Sequence, residues 1–129
     1  LAWLKADVMG LAASTPVVVF GHVPLWAVHP QWGWGTQDGQ EALSYLKRFG
    51  SVTVLNGHIH QIIQKVEGKV TFHTAASTAF PQPAPGTAPA PGPMKQVAAG
   101  DLRKYLGVRT VDYARSTGAP ALTDTTLVG

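Results

Sequence analysis

Two short apolar runs, VVVF at 17–20 and VTVL at 52–55, constrain this chain more than any other feature, because each follows a helical pattern and each leads into a Gly-His pair. Leu4, Val8 and Leu11 stand at i, i+4 and i+7, a spacing that predicts a helix over residues 2–13, broken by the Ser-Thr-Pro at 14–16. Asp38 opens a second helical pattern with Glu41 as its capping-box partner. Ala42, Tyr45, Leu46 and Phe49 give that helix its buried stripe, and Gly50 ends it. A helix-strand-helix-strand order places the two strands parallel in one sheet, and the β-branched VVVF run reads as a strand covered on both faces. The expected class is α/β.

In open α/β sheets, ligands gather outside the carboxyl ends of the strands. His22 leaves the first strand at that edge, and His58 and His60 leave the second. Neutral imidazole is a ligand for Zn, Mn or Fe, and its second ring N–H is held by a neighbouring acceptor. In an extended His-x-His both side chains point the same way, so two rings share one ion or serve two adjacent ones. A lone Gly-His after a strand is an ordinary loop residue. Two such groups at one edge point to a metal site.

Residues 21–37 show neither a helical nor a strand period and carry three tryptophans, so they form a long loop. Trp26, Trp32 and Trp34 pin that loop to the core in one reading; in another they join His29 in contacting substrate. A hairpin follows the second strand, turning at Glu67-Gly68, with Ile63, Val70 and Phe72 on one face and His73 with Thr71 on the other. Residues 80–93 hold six of the ten prolines and read as an extended strap or linker. A short helix near 98–106 and strands near 108–114 and 120–127 complete the chain. The expected organisation is a core at 1–79, a Pro-rich strap at 80–95, and a small helix with strands at 96–129 that complete the sheet edge.

Composition narrows the function classes. The chain is 45% hydrophobic and 13% charged, which suits a packed domain. Its net charge of +3 is scattered, so no basic patch marks nucleic acid as a partner. With no cysteine, disulfides and thiolate metal sites are excluded. No apolar run reaches the roughly 18 residues of a membrane span. None of this selects between a cytoplasmic and a periplasmic location.

VVVFGHVPLW resembles the strand-then-Gly/Ser-His-x-Pro motif of calcineurin-like metallophosphoesterases, and VTVLNGHIHQ resembles their closing Gly-His-x-His motif with its hairpin. The resemblance spans residues 1–79 in element order. It implies the C-terminal half of a metallophosphoesterase-type α/β/β/α sandwich, whose members hydrolyse phosphate monoesters or diesters with two divalent ions (Mn, Fe or Zn). On that resemblance His22 and His58 would ligate one ion and His60 the other, and the substrate would be a phosphoester small molecule or a nucleotide. The family's upstream D-x-H, G-D-x-x-D and G-N-H-[DE] motifs do not occur here. Together with a first residue that is not methionine, this leads us to expect an upstream segment of the same protein that supplies the missing ligands. The isolated chain is then expected to be inactive or nearly so, to hold at most one ion weakly, and to self-associate through open sheet edges. The other readings are a stand-alone module holding one ion through His22, His58 and His60, and a non-catalytic interaction domain.

Overall fold

A four-stranded sheet organises the computed structural model, which describes residues 1–128. Its order is β1 (Val17–Gly21), β2 (Val52–Asn56), β4 (Val70–Thr74), β3 (Gln64–Glu67), with β1, β2 and β4 parallel and β3 antiparallel at the edge. Helix α2 (Gly39–Leu46) makes the crossover from β1 to β2. The fold is therefore α/β, with its parallel strands in the expected orientation.

The period-2 rule sorts the sheet's residues into two unlike faces. Val17, Val19, Val52, Val54, Val70 and Phe72 point toward the helices and pack with Val8, Trp26, Leu43, Leu46 and Phe49. Leu43, Leu46, Phe49, Val54 and Phe72 are fully buried, each removing enough apolar surface to contribute about 1.5–3 kcal/mol. The opposite face carries Val18, Phe20, Thr53, Leu55, Thr71 and His73 and is covered only in part.

Several expectations are corrected. Helix α1 (Ala2–Met9) stops at Gly10 instead of running to residue 13, and Leu11 lies outside it, exposed. Arg48 holds the end of α1, donating from Nη2 to the Val8 carbonyl and from Nη1 to that of Leu11, at 2.9 Å. The strand covered on both faces is β2, not β1, whose face away from the helices leaves Phe20 76% exposed. Asp38 is the residue before α2, but its side chain makes no cap hydrogen bond, and Glu41 accepts from the Tyr45 hydroxyl at 2.7 Å.

The hairpin turns at Gly68-Lys69, one residue later than expected, with Gly68 at a φ of 60°. Moving a hairpin turn by one residue slides the pairing by two and leaves the faces unchanged. Val70 and Phe72 are accordingly buried, while Thr71 and His73 lie on the other face.

The tail does not extend the sheet edge. A 3-10 turn at Ala99–Lys104 leads into β5 (Gly107–Asp112) and β6 (Ala121–Thr126), which pair with each other as a separate antiparallel ribbon. Each strand pairs along one edge only, and Arg109, gripped by Asp124 through Nε at 2.8 Å and Nη2 at 2.5 Å, lies against the open sheet face. A cleft of about 400 Å³ separates ribbon and sheet, lined by Thr53, Thr71, His73, Arg109, Leu122 and Asp124 among others. Among the described residues no helix is long and apolar enough to cross a membrane.

Candidate metal centre

The carboxyl ends of β1 and β2 are adjacent, since Gly21 pairs with Asn56. Asn56 ties them together: its side-chain amide donates to the Gly21 carbonyl at 2.7 Å and to that of Val23 at 3.2 Å. Its own Oδ1 is buried without a partner. The next tie is between main chains, from the Gly57 N–H to the His22 carbonyl at 3.0 Å. These bonds place His22 and His58 face to edge, with ring centres 5.3 Å apart and planes at 80°.

The His-x-His stretch is not extended. His58 and His60 both adopt the left-handed region, at φ 64° and 55°, and they are the only non-glycine residues to do so among those described. The Ile59 N–H bonds the Gly57 carbonyl at 2.7 Å, closing a three-residue turn about His58. Ile59 itself is fully buried and anchors the turn, with one histidine on either side of it. The expected parallel projection of the two imidazoles is therefore corrected. Left-handed backbone is uncommon for residues with a Cβ and costs of order 1–3 kcal/mol each, so the surrounding structure has to hold it.

That holding comes from the Pro-rich segment. The His60 Nδ1 lies 2.7 Å from the Phe80 carbonyl, and the two rings pack with centres 4.5 Å apart and planes tilted by 58°. Gln82 donates to the His58 carbonyl at 2.8 Å, and the Gln61 amide reaches the Gln82 carbonyl at 2.5 Å. Residues 80–93 are thus a strap across the histidine turn. They bend rather than run extended, because Gly86 and Gly92 take positive φ.

The chain matches no protein-family model and no curated protein.

Electrostatics favour the ligating form at His58. Burial, first, and then the nearby imidazoles of His22 and His60 push its pKa below the ordinary value, which favours the neutral ring. Two imidazoles sharing one ion at the usual bond length of about 2.0–2.1 Å have ring centres roughly 5 Å apart. The 5.3 Å separation of the His22 and His58 ring centres is close to that spacing. His60 packs against Phe80, and among the described residues no three or more His, Cys, Asp or Glu side chains form a group able to hold a metal ion.

The tryptophan loop divides. Trp26 packs on Phe72 in the core at a ring separation of 5.0 Å, and Trp34 is buried. Both rings are packed into the interior of the fold. His29 and Trp32 stack at 4.6 Å nearer the surface, and the His29 Nδ1 is buried without a partner. Sequence reasoning passed over Asn56, Gln61 and Gln82. The available signals were an amide immediately before Gly-His and a lone glutamine in an otherwise nearly apolar proline run.

Proposed function

We propose that this chain contributes the closing histidine motifs of a dinuclear metallophosphoesterase, with His22 and His58 on one divalent ion and His60 on a second. Its sheet would be one layer of that family's α/β/β/α sandwich. The observation that carries this reading is the His22–His58 pair, set at ligand spacing where two parallel strands end side by side. His60, whose ring is tied to the Phe80 carbonyl, is assigned to the second ion on the family resemblance. When bound, divalent ions supply the electrophilic charge that phosphoester hydrolysis requires.

This chain's own residues hold and orient. Asn56 fixes the two strand ends, the buried Ile59 sets the turn, and the bond from His60 Nδ1–H to the Phe80 carbonyl leaves Nε2 as that ring's free nitrogen. No acidic residue lies between Asp7 and Asp38 or between Glu41 and Glu67, so neither histidine motif carries a carboxylate of its own. Three imidazoles offer no anionic charge against two dications, so catalysis requires carboxylates from elsewhere in the protein. The substrate class is a phosphate monoester or diester, nucleotides included.

Zinc titration of the chain and its variants tests this. His22→Ala and His58→Ala should each abolish the tighter site, whereas His60→Ala should leave it in place. Loss of that site in all three variants would favour a single three-histidine ion. No binding by the unaltered chain would favour an interaction domain. Hydrolysis of an aryl phosphodiester by the isolated chain should stay near the uncatalysed rate, and rapid metal-dependent turnover would overturn the reading of an incomplete site.

A further inference from the structure

We infer that the Pro-rich strap at 80–93 is a working part of the metal centre, and that Gln82 is its positioning residue. The inference rests on the metal-site reading above and adds what keeps the ligands in place. Three residues of the histidine turn are gripped by the strap: His58 through its carbonyl, His60 through its ring and Gln61 through its amide.

Gln82 is the hub of these bonds. It is only 8% exposed, and both ends of its side-chain amide and its carbonyl are hydrogen-bonded. Its Nε2 donates to the His58 carbonyl, its Oε1 accepts from the Gly92 N–H at 2.9 Å, and its own carbonyl accepts from Gln61. A bond from the Met94 N–H to the Pro81 carbonyl, at 3.1 Å, closes the base of the strap. A side chain this buried with its hydrogen bonds made is a fixed strut. Prolines on either side, at 81 and 83, limit the freedom that the strap loses when it docks.

Two consequences for the ligands follow. A carbonyl only accepts, so Phe80 requires a proton on the His60 Nδ1, and the nitrogen left to a metal is Nε2. This is the arrangement in which a backbone carbonyl fixes the tautomer and aim of a ligating ring. The tie from Gln82 to the His58 carbonyl fixes the peptide that follows His58 and with it the left-handed turn between the two rings.

The test is made on the full chain and on Gln82→Met, which keeps the side-chain length and removes both amide bonds. Nitrogen-15 spectra of the imidazoles, recorded metal-free at a pH where the rings are neutral, should show His60 as the Nδ1–H tautomer. In Gln82→Met that preference should weaken, and zinc affinity should fall about tenfold, the lower end of what losing such a support costs. A His60 ring protonated on Nε2 in the unaltered chain overturns the inference. So does a Gln82→Met protein with an unchanged tautomer and unchanged affinity. If Gln82→Met does not fold, Gln61→Met severs a single tie from a partly exposed residue and is read the same way. Absence of zinc binding by the unaltered chain sinks the metal reading itself, while the metal-free spectra still decide whether the strap sets the tautomer.

Discussion

Two histidines held at positive φ within three residues set local backbone energy against ligand placement. Glycine at either position would relieve the backbone at the expense of a ring. His58→Gly should therefore stabilise the metal-free chain by about 0.5–1 kcal/mol, the relief of a left-handed residue less the extra freedom glycine has when unfolded, while abolishing zinc binding. Urea unfolding and calorimetric titration read the two effects, and a variant that loses stability would mean that the His58 ring packs more than it strains. His73 offers a second prediction. Its pKa is lowered, mainly by burial and then by the Arg109 charge, with Asp124 opposing. The folded chain thus favours neutral His73, and the unfolded chain binds the proton more readily. The stabilisation is complete above the ordinary histidine value of about 6.5 and is lost as pH falls through the lowered folded value. His73→Asn should flatten the fall of the urea midpoint over that acid range, leaving the share due to His58. An unchanged slope would remove His73 from the account.

The elements show why some of this was legible and some was not. Apolar periods are written locally, so the stripe of Ala42, Leu46 and Phe49 and the strands at 17–21 and 52–56 could be read directly. Leu43 escaped notice although it is fully buried with Leu46, Phe49 and the sheet valines, and the start of α2 also sits very close to the preceding loop. Gly39 measures that approach. A Cβ there would overlap the Leu25 carbonyl oxygen and crowd its carbon at 2.9 Å, and both are backbone atoms that cannot swing aside. Gly39→Ala, normally favourable in a helix, should instead destabilise by about 1–3 kcal/mol in urea unfolding; a neutral result would show that the helix can shift. The histidines at the strand ends were legible from their Gly-His setting, but their left-handed backbone was not. It depends on Phe80 and Gln82, some twenty residues downstream in a segment without periodicity. The position of the tail was hidden for a similar reason: residues 107–126 alternate plausibly enough for sheet, but nothing local says whether such strands join an edge or pair with each other.

At the scale of the whole molecule, the sheet is finished on one face and open on the other. The helices cover Val54 and Phe72 completely, while the ribbon of β5 and β6 leaves Phe20 at 76% and Val66 at 61% exposed on the far side. The outer edges of β1 and β3 also have no neighbouring strand in the sheet. Open edges beside apolar side chains invite pairing with another chain. The isolated chain should therefore associate with itself at micromolar concentration, as sedimentation velocity would show. Phe20→Lys attacks the association without touching the core, because Phe20 points away from the helices and lies at the edge strand. Burying a phenylalanine contributes about 1.5–3 kcal/mol, so losing it should weaken association about tenfold or more while leaving the urea midpoint nearly unchanged. A wild-type chain that stays monodisperse and monomeric would mean that water tolerates this face as it stands. A Phe20→Lys chain that unfolds would mean that the residue supports the sheet from the side that looks empty.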